Sequence, residues 1–262
     1  MRSPLEALDL RGKKPSWVLL DLDNTLWDFD GNAEEALHVL FHRHRVAEHT
    51  GATAADFVQI YNRINHQYWA RYEKGEVSKE VLRSARFTDA FLELNYPKEA
   101  MPGDIWKEYL DICPRLTRLM PGAQAFLEAL AGSFRLAVLT NGFEETQQLK
   151  LACCHLAPYF EFVQSSEAVG HAKPGKPFFD LALQRAGAAA NDCLYIGDTF
   201  RTDVMGGLQS GIPTAWYLRE RSYAQAQAED AAEWQGWEAF ADEYRGAFAS
   251  LPELQHALLT SI

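Results

Sequence analysis

Short apolar runs recur along the chain, and each ends at a turn signal, which is typical of strands buried in a parallel sheet. Segments with apolar residues at three- and four-residue intervals, the pattern of an amphipathic helix, lie between these runs. The predicted strands are residues 16–21, 134–140, 160–165, 193–198 and 213–218. The predicted helices are residues 123–130, 144–156, 177–186 and 202–210, and residues 244–259 have a strand-like and then a helix-like pattern. Strands that alternate with helices pair in parallel, so we predict an α/β fold with a doubly wound parallel sheet.

A long helical stretch interrupts this alternation between the first and the second predicted strand. Apolar residues there, such as Phe57 and Tyr61, share one face at the spacing of an amphipathic helix. The predicted domains are an N-terminal extension (residues 1–15), a core (residues 16–29 and 119–262) and an inserted all-α cap domain (residues 30–118). Both junctions of the cap lie at strand ends, where ligands bind in doubly wound sheets, so we expect the cap to be a mobile lid.

The charge balance is acidic, because 36 Asp and Glu residues against 25 Lys and Arg residues give a formal net charge of −11. This balance argues against binding to nucleic acid or to an anionic membrane, since both require clustered basic side chains. The chain has no apolar run of the ~20 residues that span a bilayer, and its start lacks the apolar segment of a secretory signal. We therefore expect a cytoplasmic protein, a monomer or a homodimer, whose partner is a small molecule.

Polar side chains that suit one anion follow the predicted strands. They are Asp21 and Asp23 after the first strand, Thr140, Asn141 and Gly142 after the second, Lys173 after the third, and Asp198 and Asp203 after the fourth. The carboxyl ends of parallel strands meet at one edge of a sheet, so we expect these side chains to lie close together. The hydroxyl, the amide and the glycine after the second strand suit a phosphate, because the missing glycine side chain lets the anion approach backbone N–H groups.

Carboxylates gathered at one point require a cation. Two like charges ~4 Å apart repel by ~4 kcal/mol at an effective dielectric constant of about 20, so Asp21, Asp23 and Asp198 cannot share a site with a phosphate dianion alone. Oxygen ligands suit Mg²⁺, which also bridges to phosphate, and Lys173 offsets the remaining negative charge. The set predicts phosphoryl transfer, with Asp21 as the nucleophile that forms an aspartyl-phosphate and Asp23 as the general acid and base.

Three alternatives remain open from the residues alone. Asn141 and Gly142 can serve only to shape the turn that follows the strand. Asp203 can act by complementing the dipole of the helix near whose N-terminus it lies. The whole set also suits a signalling module of the response-regulator receiver type, which accepts a phosphoryl group on a similar constellation without rapid release.

The stretches DLDNT, TNG, HAKP and GDTFRTD, in this order, resemble the four motifs of the haloacid dehalogenase superfamily over about residues 17–218. The resemblance implies a Rossmann-like core and Mg²⁺ as the cofactor. It also implies roles for six residues: Asp21 as nucleophile and metal ligand, Asp23 as acid/base and backbone-carbonyl ligand, Thr140 and Lys173 as phosphate binders, Asp198 as metal ligand, and Asp203 as its support. Within the superfamily, an Asp two residues after the nucleophile is the phosphatase pattern.

A narrower resemblance, to the bacterial pyrimidine 5′-nucleotidases, lies in DNTLWDFD, YNRINHQYWARYEKGEVS, SARF, TNGFEETQQLKL and SSEAVGHAKPGKPFF. It implies hydrolysis of nucleotides such as UMP, dUMP and dTMP, and the alternative substrate is another small ester, phosphoglycolate or a sugar phosphate. Asn65 and Trp69, four residues apart on one face of a cap helix, are candidates to read and stack a pyrimidine. In the alternative interpretation, Trp69 packs in the core of the cap and Asn65 is a surface polar residue. The N-terminal extension and an acidic stretch over residues 223–243 depart from this family.

Overall fold

A computed structural model describes residues 14–229 and 242–260 of the chain. Contacts between residues divide it into two compact units. The described residues up to Asp28 and from Thr117 onward form one unit, which we call the core, and Phe29–Leu116 form the other, which we call the cap. Most of the predicted N-terminal extension, and residues 230–241 of the acidic stretch, lie outside the described residues.

The core contains a six-stranded sheet in which every strand pairs in parallel with its neighbours. Its strands are β1 (Trp17–Leu20), β2 (Arg135–Thr140), β3 (Phe162–Ser165), β4 (Cys193–Gly197), β5 (Thr214–Tyr217) and β6 (Tyr244–Phe248). The strand order is β3-β2-β1-β4-β5-β6, so successive strands are added outward from β1 first on one side and then on the other, as in a doubly wound fold. The predicted fold class is therefore confirmed, and the strand-like pattern at residue 244 becomes β6 at the edge of the sheet.

Strand β1 lies at the centre of the sheet, and all four of its residues are buried. This burial on both faces explains why its sequence is a continuous apolar run rather than an alternation of apolar and polar residues. Leu20 is in register with Val138 of β2 on one side and with Ile196 of β4 on the other. The residues that follow these three strands therefore leave the sheet side by side at one edge.

The cap contains two short 3-10 helices (Lys98–Ala100 and Cys113–Arg115) and five α-helices: α1 (Phe29–Arg43), α2 (Val46–Thr50), α3 (Ala54–Glu73), α4 (Lys79–Glu93) and α5 (Ile105–Ile112). Helix α3 begins with a capping box, in which Thr53 and Asp56 satisfy each other's backbone N–H groups. The predicted apolar face is buried within the cap, where the Phe57 ring stacks on Phe91 of α4 with centroids 5.6 Å apart. All residues of the range 29–116 are described, and none of them belongs to a strand.

The described residues of the core form seven α-helices: α6 (Ala123–Leu130), α7 (Glu144–Cys153), α8 (Ser166–Val169), α9 (Lys176–Ala186), α10 (Met205–Gln209), α11 (Tyr223–Glu229) and α12 (Leu251–Thr260). The predicted helix 202–210 differs from the structure at its start, because a wider π-type turn, Phe200–Val204, precedes α10. Such turns are frequent at functional sites. Among the described residues, no helix is both long enough and apolar enough to cross a lipid bilayer.

Candidate active site

The first candidate carboxylate, Asp21, directly follows β1. Its backbone N–H donates to the carbonyl oxygen of Ile196 at 2.9 Å, so the residue still belongs to the edge of the sheet. The chain then turns sharply, because the N–H groups of Leu26 and Trp27 both donate to the carbonyl oxygen of Leu22 at 2.9 Å. Asn24 supplies the left-handed backbone conformation of this turn, with φ of 61°. Because the chain turns here instead of continuing as a strand, the side chains of Asp21 and Asp23 can both face one site.

Lys173 is a buried cation that links two of the candidate carboxylates. Its Nζ donates to Asp21 Oδ1 at 2.6 Å and to Asp203 Oδ1 at 2.7 Å. It also donates to the carbonyl oxygen of Leu139 at 3.0 Å, at the end of β2. Burial disfavours the charged ammonium, but the Asp203 and Asp21 carboxylates outweigh it, so the pKa of Lys173 is raised. Lys173 is therefore a fixed positive charge beside the candidate nucleophile.

Asp203 is held by hydrogen bonds on both of its carboxylate oxygens. Oδ1 accepts from Lys173 and from the Tyr195 hydroxyl at 2.7 Å, and Oδ2 accepts from the backbone N–H of Thr199 at 3.0 Å. Gly197 makes room for this carboxylate, because a Cβ there would lie 2.4 Å from Asp203 Cγ. Asp203 does lie in the first turn of the π-type helix, but its side chain has specific donors beyond the helix dipole. This geometry favours a supporting role.

Asp21, Asp198 and Asp203 form an acidic cluster in which one oxygen of each lies within 4.8 Å of the others. Burial, with Asp203 and Asp23 nearby, raises the pKa of Asp21 to about 7, although Lys173 opposes the shift. Burial and the neighbouring Asp21 and Asp203 carboxylates raise the pKa of Asp198 well above its usual range. Asp203 accepts three hydrogen bonds, whereas Asp21 accepts one from Lys173 and a longer one, at 3.4 Å, from the Thr25 hydroxyl. Asp21 and Asp198 are therefore the carboxylates better suited to hold a divalent cation directly. Asp198 also has Arg219 Nη1 at 3.6 Å from its Oδ2.

The loop after β2 brings Thr140 and Asn141 to the same edge. The Thr140 hydroxyl is buried and accepts from the backbone N–H of Gly142 at 3.0 Å. The Asn141 side chain bonds the backbone of Lys173 twice, donating to its carbonyl oxygen at 3.0 Å and accepting from its N–H at 2.9 Å. Asn141 therefore ties this loop to the Lys173 loop, which favours the turn-shaping interpretation. Its role as a phosphate contact stays a prediction.

Two residues of α7, neither of them predicted from the sequence, bind the carboxylate of Asp23. Lys150 Nζ donates to Asp23 Oδ1 at 2.6 Å, and Gln147 Nε2 donates to Asp23 Oδ2 at 2.7 Å. Gln147 also explains why position 142 is a glycine, since a Cβ there would lie 1.9 Å from Gln147 Nε2. The space beside the glycine is thus filled by an amide, whereas we expected it to admit a phosphate. The sequence did contain a signal for these two residues. Gln147 and Lys150 are polar, three positions apart on one helix face, and their helix directly follows the motif Thr140-Asn141-Gly142.

The two specificity candidates of the cap occupy different environments within that unit. Asn65 is buried, and its Oδ1 accepts from Arg86 Nη1 at 2.6 Å, so the alternative that Asn65 is a surface residue is wrong. The Trp69 ring is half-buried and meets the edge of Tyr72, with centroids 5.8 Å apart. Arg86 is buried too, which explains why an amide acceptor lies inside the helix bundle. A role of Asn65 and Trp69 in substrate choice stays a prediction.

Comparisons with known proteins agree with the motif resemblance. Residues 15–211 match the family described as haloacid dehalogenase-like hydrolase. The pyrimidine 5′-nucleotidase YjjG of Escherichia coli (strain K12) is 33% identical, over 78% of this chain and 86% of the relative. The pyrimidine 5′-nucleotidase PynA of Streptococcus pneumoniae (strain ATCC BAA-255 / R6) is 30% identical, over 77% of this chain and 83% of the relative.

Solved structures give the same result for the fold. The HAD-hydrolase YfnB from Bacillus subtilis, solved bound to magnesium, superimposes with a TM-score of 0.76 at 25% identity. The match covers 94% of this chain and 100% of the YfnB chain. A family match over most of the chain, a relative above 30% identity and a shared fold lead to one assignment. The chain belongs to the haloacid dehalogenase-like hydrolases.

Proposed function

We propose that this hydrolase cleaves phosphate monoesters through an aspartyl-phosphate formed on Asp21. The observation that carries the proposal is the meeting of Asp21, Lys173 and Asp198 at one edge of the sheet, with Lys173 Nζ 2.6 Å from Asp21 Oδ1. A carboxylate beside a fixed cation, within a cluster suited to a dication, is the arrangement that covalent phosphoryl transfer requires.

The donor set fits Mg²⁺, because hard carboxylate and carbonyl oxygens are the ligands this ion prefers. Asp21 and Asp198 would hold it with their carboxylates and Asp23 with its backbone carbonyl, as the motif resemblance implies. The raised pKa values of Asp21 and Asp198 support this assignment, since crowded buried carboxylates stay ionised when a dication neutralises them. When bound, the ion supplies positive charge that neutralises the ester phosphate.

The residues of the core account for both steps. In the first, an ionised oxygen of Asp21 attacks phosphorus and the ester P–O bond breaks, while Asp23 gives its proton to the departing oxygen. In the second, Asp23 takes a proton from water, the water oxygen attacks the phosphoryl group, and inorganic phosphate leaves Asp21 free. The Lys173 ammonium offsets negative charge beside Asp21 in both steps.

We propose pyrimidine nucleoside 5′-monophosphates as the substrates. Two relatives at 33% and 30% identity carry the name pyrimidine 5′-nucleotidase, and the motif stretches of the core and the cap support the same class. The competing substrates are phosphoglycolate and sugar phosphates. The competing class of protein is a receiver-like phosphoacceptor, which would take one phosphoryl group and keep it.

A substrate panel tests the proposal. Release of inorganic phosphate from UMP, dUMP, dTMP, phosphoglycolate and glucose 6-phosphate is measured with Mg²⁺ and with a chelator. We expect many turnovers on the nucleotides, loss of activity with the chelator, and no activity in Asp21→Asn. Equal rates on all the esters would refute the substrate class, and a single equivalent of stable phosphoprotein would favour the phosphoacceptor.

A further inference from the structure

Two buried side chains of α7 hold Asp23 by both of its carboxylate oxygens. Lys150 Nζ lies 2.6 Å from Oδ1, and Gln147 Nε2 lies 2.7 Å from Oδ2. Lys150 and Gln147 are 4% and 1% exposed, whereas the Asp23 side chain is 28% exposed. The donors therefore come from inside the protein and leave the outer side of the carboxylate open.

Gln147 joins Asp23 to a second candidate site residue. The same Nε2 that donates to Asp23 donates to the Thr140 hydroxyl oxygen at 2.8 Å. The Gln147 Oε1 atom, by contrast, is buried and has no hydrogen-bond partner among the described residues. An unsatisfied buried carbonyl oxygen lowers stability, and a leucine of similar size would avoid that loss. The presence of an amide at position 147 is therefore explained by its NH₂ group, which donates to Asp23 and Thr140.

Lys150 is a buried ammonium group, and burying such a charge is unfavourable unless a partner compensates it. Its Nζ also lies 4.2 Å from the centre of the Trp27 ring, which is itself fully buried. A cation held over an aromatic face cannot shift without losing that interaction. Lys150 is therefore a fixed donor, and its place determines where Asp23 Oδ1 lies.

We propose that Lys150 and Gln147 are positioning residues that hold the Asp23 carboxylate where it exchanges protons with the ester and with water. This inference rests on the proposed function, in which Asp23 acts in both steps. An ionised carboxylate has about four lone-pair sites, so two inner donors leave sites on the outer side for the proton exchange. The two residues share one face of α7, three positions apart, which lets one helix fix both oxygens.

The test measures kcat and KM in Lys150→Met and Gln147→Leu. We expect kcat to fall by about 100-fold in Lys150→Met, because misplacement of a reacting group by about 1 Å has that effect. In Lys150→Met, KM for UMP stays within about threefold of the wild-type value, since Lys150 is not assigned to ground-state binding of the ester. The matched controls are Lys176→Met and Gln148→Leu, which remove the same groups from exposed Lys–Asp and Gln–Glu pairs and leave kcat unchanged.

A double-mutant cycle separates positioning from a general effect on the fold. In an Asp23→Asn background, Lys150→Met is expected to lower kcat by less than about threefold, because the group that Lys150 positions no longer transfers protons. Unchanged kcat in a folded Lys150→Met, or an equal fall in both backgrounds, would overturn the inference. If Lys150→Met does not fold, Lys150→Gln and Gln147→Leu carry the same cycle.

The substrate panel distinguishes failure of this inference from failure of the proposed function. A wild-type protein that releases no phosphate from any ester refutes the proposed function. An active wild-type protein whose Lys150 and Gln147 variants match their controls refutes only the positioning role.

Discussion

Lys173 carries a buried ammonium group that two carboxylates compensate. It is buried, and its ammonium lies between the Asp21 and Asp203 carboxylates, with the Tyr195 hydroxyl 3.1 Å away. Removing one partner of a buried ion pair leaves the other charge without compensation, which destabilises far more than the loss of an exposed pair. The candidate chemistry and the stability of the core therefore depend on the same side chain.

We predict that Lys173→Met lowers the free energy of unfolding by about 3 kcal/mol in the absence of divalent cations, because two buried carboxylates lose their cation. Urea denaturation with a chelator present measures the change. Lys176→Met, which removes an exposed ion pair with Asp180, is the control and changes stability little. Equal losses in the two variants would contradict the buried arrangement.

The raised pKa of Asp21 predicts a pH dependence of Mg²⁺ binding. The ordinary pKa of Asp is 3.8 and the folded value is about 7, so the fold favours the protonated acid. The stabilising effect of this protonation is complete below about pH 4 and is lost as the pH rises through about 7. If Asp21 holds Mg²⁺ as proposed, the ion binds the ionised carboxylate, so we expect it to compete with the proton at low pH and to restore the lost stability at high pH.

Thermal unfolding with and without Mg²⁺ at pH 5 and pH 8 measures this effect. We expect Mg²⁺ to raise Tm clearly more at pH 8 than at pH 5, and we expect the pH difference to shrink in Asp21→Asn. The same rise in Tm at both pH values would show that Asp21 does not hold the ion.

At the scale of elements, the loop between β2 and α7 connects the site to the helix behind it. Gly142 lies between Thr140 and Gln147, and its missing Cβ is the space that the Gln147 amide occupies. Position 142 must therefore lack a side chain so that Gln147 of α7 can keep its position. A change at Gly142 therefore reaches Asp23 through Gln147.

We predict that Gly142→Ala lowers kcat by about tenfold or more, because the alanine Cβ displaces the Gln147 amide from Asp23 and Thr140. Steady-state kinetics on UMP and a thermal unfolding curve measure the effect. Gly132→Ala is the control, since a Cβ there meets nothing within 4 Å and the backbone has no positive φ. A similar kcat in both variants would show that the Gln147 contact has no part in the reaction.

At the scale of the whole molecule, the alternation of strands and helices was predictable because buried parallel strands are local, continuous apolar runs. The five predicted strands are all present, and they bring Asp21, Lys173 and Asp198 to one edge of the sheet. Contacts between distant residues were not predictable, since Lys150 lies 127 residues from Asp23 and its own segment shows only a helix. The burial of Asn65 was not predictable for the same reason, because its acceptor role depends on Arg86 of another helix.

The stereochemical course at phosphorus distinguishes a covalent aspartyl-phosphate on Asp21 from a direct attack by water. A phosphate monoester made chiral at phosphorus with oxygen isotopes is hydrolysed with Mg²⁺, and the configuration of the released phosphate is determined. Two successive displacements, first by Asp21 and then by water, predict overall retention. Inversion would mean a single direct attack by water and would rule out the aspartyl-phosphate.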